Sequence, residues 1–305
     1  MPGLGLPVVP RAEMEPARTR PAAASSDSPG GWRGRLSVQY RRDGERTISH
    51  DLHEGPLRLL QRLYPEGPGV CHHVLVHPPG GIVGGDQLEI DLTLAPGSHA
   101  VLTTPGATRF YRSAGLPASQ VVTARVQDGG RLEWLPLENI AYPGCLAENR
   151  ITFALEGGAE MIGWDLLALG LPAAGAAFDR GCILQHVEWP GRWLERGLID
   201  GSDTRLLDSP LGLAGQRALA TLWFASGRSI DVVRCEALVD LARSQALAHA
   251  AEVRTGVTCP HDRLVILRGL ALRIEPLMAL LKSVRTGWRS QAWGLKDCSP
   301  RVWKT

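Results

Sequence analysis

Cys71, His72, His73 and His77 are the residues of this chain whose types best suit a metal, offering thiolate sulfur and imidazole nitrogen to a borderline cation such as nickel or zinc. In an extended strand His73 and His77 share a face while His72 points the other way, so at most one pair converges. A pair alone is a weak site, and strand histidines serve more often as hydrogen-bonded structural groups. Cys259 and His261, flanking Pro260, form a second pair that could share a strand face. The loop HPPGGIVGGD (77–86) has the glycine content of a phosphate cradle, but it opens a strand instead of a helix and lacks the lysine such a loop carries. No G-x-S-x-G elbow, H-E-x-x-H pair or EF-hand loop occurs, and the carboxylates are dispersed. No local constellation proposes a reaction.

The elements that must position these residues read as strands. QLEIDLTL alternates strictly, with Leu88, Ile90, Leu92 and Leu94 on one face, the period of a half-buried strand. LAPGSHAVLTT, VQDGGRLEWLP and LEGGAEMIGWD repeat one grammar, an alternating run, a turn ending in Gly97, Gly130 or Gly158, and another apolar run. Their spacing of roughly thirty residues is that of stacked β units. VEWPGRWLERG and LWFASGRSIDVVR repeat it less regularly. Two helices interrupt the pattern late in the chain. The first is expected from Glu236 to Arg254, stopping before Gly256. The second opens at Glu275 and Pro276 and sets Leu277, Leu280, Leu281, Val284 and Trp288 at helical spacing, with Lys282, Arg285 and Arg289 on another side. That basic stripe reads as a solvated face, and Leu277, Leu281 and Trp288 as a surface for the β body or for a partner.

With 305 residues and 44% hydrophobic side chains the chain can bury a sizeable core. Its 33 basic and 31 acidic residues leave a charge of +2, which gives no field for a nucleic acid or an anionic membrane. No run of about eighteen apolar residues suggests a membrane span. Six cysteines without a C-x-x-C pair argue against a disulfide framework or a structural zinc site, and point to a reducing, cytoplasmic setting. Residues 1–31, rich in Pro, Ala, Ser and Arg, are expected to be a disordered tail. Residues 32–305 show no linker and are expected to form a single, mainly β domain.

Taken in order, GPLRLLQRLYPEG (55–67), HPPGGIVGGD (77–86), TTPGATRFYRS (103–113), LEWLP (132–136), GWDLLALG (163–170) and PRVWKT (300–305) resemble the urease accessory protein D family, called UreD or UreH. The resemblance covers nearly everything from Trp32 onward. It implies an extended β-helical scaffold with two helices and no catalysis. It also implies work with accessory protein F, the GTPase accessory protein G and apo-urease, with nickel held only transiently and no tightly bound cofactor. Matched residue by residue, the implied nickel-passage candidates are Glu66, Asp86, Thr108, Asp165 and Glu195. The chain departs from the family pattern at Leu137, where an amide is usual, and at Leu171 and Ala177, where an arginine and a glutamate often stand. An independent nickel-storage or delivery protein, and a β-solenoid enzyme acting on a polymer, are the competing readings. The C-P-H tripeptide resembles the nickel motif of the GTPase partner but is no part of the UreD pattern.

Overall fold

A computed structural model describes residues 30–304, so the tail expected over 1–31 lies outside the described residues apart from Gly30 and Gly31. The chain winds in coils. The first holds β1 (Arg33–Asp43), its hairpin partner β2 (Arg46–Glu54), β3 (Arg58–Leu59) and β4 (Val70–Val76). The second is β5 (Gln87–Leu94), β6 (His99–Thr103) and β7 (Thr108–Phe110), and the third is β8 (Ala118–Val126), β9 (Arg131–Leu135) and β10 (Asn139–Ala141). The fourth is β11 (Leu146–Leu155) and β12 (Glu160–Leu169), followed by the hairpin β13 (Cys182–Trp189) and β14 (Trp193–Asp200). A short helix, α1 (Thr204–Asp208), leads to β15 (Ala218–Ser226). Then come α2 (Val232–Ala248), β16 (Val253–His261), β17 (Leu264–Ala271) and α3 (Ile274–Trp293).

Each coil lays one strand on each of two facing sheets. In the first, of order β14-β13-β11-β8-β5-β1-β2, the run from β1 to β13 is parallel. In the second, of order β16-β17-β15-β12-β9-β6-β4-β3, the run from β4 to β12 is parallel. The short strands β7 and β10 pair on a third side. This is the expected β-solenoid, mainly strand with two longer helices near the C-terminus. The predicted repeat is the coil itself, since Gln87, Ser119 and Glu148 are register partners on successive strands. The coil turns require left-handed backbone at Gly97 and Gly129, with φ of 67° and 66°, which L side chains rarely adopt.

Burial explains the two strand patterns. The first sheet covers the interior on one face only, so β5 and β8 alternate between buried and half-exposed positions. The second sheet is covered on both faces, so β6 and β12 are buried almost continuously. One core fills the solenoid and includes Leu36, Ile90, Phe153 and Trp223. Another lies between the second sheet and the helices and includes Trp164, Phe224, Leu281 and Trp288.

Three expectations about the helices need correction. The first helix runs from Val232 to Ala248, and Arg254 belongs to β16, because the β-branched run from Val253 to Thr258 pairs with β17. Leu277, Leu281 and Trp288 are fully buried against the second sheet, which places them in the core and not on a docking surface. Arg285 and Arg289 are also fully buried, so the basic stripe is no solvated face. α3 begins as expected, with Glu275 in its first turn, and stops at Gly294 in the left-handed conformation. Among the described residues no helix is long and apolar enough to cross a membrane.

Candidate functional site: a polar line inside the solenoid

The parallel register stacks Gln120, Asn149 and Gln185 on β8, β11 and β13, one amide per coil, facing inward from the first sheet. Opposite them Asp165 projects from β12 and gathers the amides. Asn149 Nδ2 donates to its Oδ1 at 3.0 Å, Asn139 Nδ2 to the same oxygen at 3.2 Å, and Gln185 Nε2 to Oδ2 at 2.6 Å. Gln120 Nε2 donates to Asn149 Oδ1 at 3.2 Å. Thr108 is the register neighbour of Asn139, and it lines a cavity of about 160 Å³ together with His77 and Gln120. On the other side Thr221 stands opposite Asp165 and donates to Glu195 Oε1 at 3.0 Å, while Arg268 holds Glu195 Oε2 at 2.6 Å. Thr108, Asp165 and Glu195 therefore fall on one polar line, which starts at the small cavity, passes the buried Asp165 and ends at the half-exposed Glu195–Arg268 pair.

Burial pushes the Asp165 carboxyl up to about 7; the bonds from Asn149 and Asn139 pull it down and the Glu195 charge adds to the rise. The hydrogen bonds are arranged for both protonation states. Gln185 Oε1 is buried without a partner while its Nε2 donates to the carboxylate. If Asp165 is protonated, a flip of that amide lets Oε1 accept from the carboxyl O–H, and Nε2 then takes the buried position that has no partner.

Glu66 belongs to a different constellation. Arg289 Nη2 lies 2.8 and 2.6 Å from its two oxygens, and its Oε1 is 2.6 Å from His72 Nε2. Next to it Glu133, fully buried on β9, takes Arg285 at 2.7 Å, Arg289 at 2.9 Å and His99 at 3.0 Å. Burial alone would raise the Glu133 carboxyl, but the two guanidinium groups and His99 hold it far below the usual range. The same balance lowers Glu66, with burial opposed by bonds from His72 and Arg289. Two carboxylates and two guanidinium groups thus neutralise each other and fasten α3 to the second sheet. The ligand atoms of Glu66, His72 and Cys298 lie within 4.8 Å of one another, yet Arg289 already engages both Glu66 oxygens.

Asp86 closes the glycine-rich loop. Its Oδ1 accepts from Trp32 N at 2.8 Å and its Oδ2 from Val83 N at 3.0 Å. Gly85 beside it has φ of 99°, and a Cβ there would come within 1.4 Å of Gly30 O, so the loop and the segment leading into β1 press backbone to backbone. The four metal candidates do not converge. His73 is buried with its Nδ1 2.7 Å from Tyr40 Oη, while His77 lines the small cavity. Cys259 lies on β16, on the far edge of the second sheet, where its Sγ contacts His261 O at 3.2 Å.

The family model described as UreD urease accessory protein matches residues 32–304. The chain belongs to the UreD family. It is 59% identical over 276 residues to the urease accessory protein UreD of Leptothrix cholodnii, covering 90% of this chain and 99% of that relative. It is 54% identical over 272 residues to that of Paracidovorax citrulli, covering 89% and 99%. UreD is an accessory, non-catalytic family, which accounts for a sequence without a catalytic constellation.

In this UreD member the departures from the family pattern fall outside the polar line. Leu137 packs against the core beneath the helices, Leu171 bridges to Ala176, and Ala177 is exposed. Reading the sequence missed Asn139, Asn149, Gln120 and Gln185, because an amide in an alternating strand looks like any solvent-facing polar residue until the register stacks it inward. It also missed the Glu133–Arg285–Arg289 network. A glutamate inside the apolar run LEWL, with two arginines four apart on an apolar helix, was the available signal.

Proposed function

We propose that this UreD member is a non-catalytic scaffold for urease maturation. It recruits accessory protein F and the GTPase accessory protein G to apo-urease, in the cytoplasm, and gives nickel a path along the Thr108–Asp165–Glu195 line. The observation that carries the passage reading is that line itself: two carboxyl groups, three amide-bearing strands and two hydroxyls in a solenoid whose core is mainly apolar. Oxygen donors of this kind hold a borderline divalent cation weakly, whereas a closed Cys/His set would trap it. Glu66 and Asp86 have structural work elsewhere and are not part of the path.

A storage reading has one observation behind it, the Glu66, His72 and Cys298 group. The Arg289 guanidinium seated on Glu66 opposes a cation there. Coexpression with accessory proteins F and G and apo-urease tests the proposal. The scaffold reading expects a co-purifying complex, and the passage reading expects Asp165→Ala to leave that complex intact while lowering the nickel content of the urease. Well-folded components that fail to associate would remove the first, and tight equimolar nickel on the isolated chain would favour storage.

A further inference from the structure

Cys235 and Cys259 meet at the outer edge of the second sheet, away from the polar line. Cys235 sits in the first turns of α2 and Cys259 on the edge strand β16, where the pairing with β17 shifts register between Thr258 and His261. There the Cys259 side chain faces the helix. The two sulfurs are 2.7 Å apart, with 24 positions of chain between them. Both are free thiols, Cys259 exposed and Cys235 half-buried.

A bridging metal does not suit this spacing. With metal–sulfur bonds of about 2.3 Å and a near-tetrahedral angle, two thiolates on one zinc stand roughly 3.7 Å apart. Among the described residues no third His, Cys, Asp or Glu donor completes a group with the pair within 4.8 Å. His261 turns its Nδ1 to the Arg263 N–H instead. Sulfurs already in contact need only a small closing movement to reach a disulfide bond length of about 2.05 Å.

We propose that Cys235 and Cys259 form an oxidisable dithiol, which a low-molecular-weight disulfide such as oxidised glutathione converts into a cross-link between α2 and β16. The exposed Cys259, as thiolate, attacks one sulfur of the oxidant, whose S–S bond breaks and releases one thiol. Cys235 then gives its proton to solvent and attacks the Cys259 sulfur of the mixed disulfide, expelling the second thiol. Two protein thiols are oxidised and one small disulfide is reduced to two thiols. The order follows from the surroundings: burial, the neighbouring Cys259, Glu236 and Asp231 push the Cys235 thiol up to about 12, so it is the resolving group and not the first to react. Cys71 and Cys145 are buried, their thiols raised to about 11 and about 12, and they stay out of the reaction. The cross-link fixes the start of α2, where Val232 and Val233 are exposed, to the sheet edge.

The test uses the full chain equilibrated with defined ratios of oxidised to reduced glutathione, read by intact mass and non-reducing peptide mapping. The expected result is a product lacking two hydrogens, with the Cys235 and Cys259 peptides joined, and a melting temperature several degrees above that of the reduced chain. Cys235→Ser should instead accumulate glutathione on Cys259, and Cys259→Ser should form no cross-link and carry no glutathione on Cys235. A wild-type chain that stops at the mixed disulfide, a cross-link mapping to other cysteines, or a reduced chain that retains equimolar zinc through gel filtration would overturn the proposal.

Discussion

Replacing Asp165 by asparagine should remove a pH dependence of stability and leave the fold intact. The carboxyl rises from the usual aspartate value of about 3.9 to about 7 in the folded protein. The folded state therefore holds a proton that the unfolded chain has lost between about pH 4 and pH 7. Stability must fall as pH rises through that window and level off above it. The full difference corresponds to about 4 kcal/mol, which is the ceiling for the effect. Asparagine keeps the size and can still accept from Asn139 and Asn149 through its Oδ1. Its Nδ2 can donate to Gln185 Oε1 after that amide turns over, which leaves one buried amide atom of Gln185 unpaired, as in the wild type. Urea unfolding of the nickel-free chain and of Asp165→Asn, across pH 4 to 8, provides the assay. The change on substitution cancels the pH dependence of groups that do not interact with Asp165, including the buried His73, whose imidazole is pushed down to about 4. The variant should gain on the wild type as pH rises, by up to about 4 kcal/mol at pH 8 relative to pH 4. Parallel profiles for the two proteins would refute the claim that burial holds this acid near neutrality.

Three further outcomes follow from the same geometry. Glu133→Ala strands Arg285 and Arg289 in the interior without their shared partner and should cost about 3–5 kcal/mol, seen as a steep loss of soluble protein or of melting temperature. Asp86→Ala removes two bonds to backbone N–H groups and should cost about 0.5–2 kcal/mol, while nickel delivered per folded chain stays at the wild-type level. Leu281→Asp puts an unpaired charge beneath α3 and should cost several kcal/mol of folding stability; an unchanged melting temperature would mean that this face of the helix is misplaced.

The solenoid was legible because one local rule repeats. Alternation in QLEIDLTL and its successors, with turns ending in Gly97, Gly130 and Gly158, needs only neighbours in sequence to be read. The second helix was legible for the same reason, through Leu277, Leu281, Val284 and Trp288. What lay beyond reach depended on pairs distant in the chain. Glu133 meets Arg289 across 156 positions and Glu66 meets it across 223, so neither the buried network nor the burial of the arginines follows from the helix pattern. The polar line was half legible. Family motifs pointed to Thr108, Asp165 and Glu195, but the amides that join them emerge only once register brings Gln120, Asn149 and Gln185 into one row. Glu66 and Asp86 carry motifs of the same kind, and there the motif marks a salt bridge and a loop closure.

The measurement that bears most directly on the polar line keeps Asp165 and changes its surroundings. Asn149→Leu combined with Gln185→Leu replaces two stacked amides, one buried and one half-buried, by apolar side chains of similar size. Urease matured with this variant, beside wild type and at matched recovery of the accessory complex, is assayed for nickel per active site. A marked fall in nickel at equal complex recovery is expected. Full nickel loading at equal recovery would contradict passage along this line.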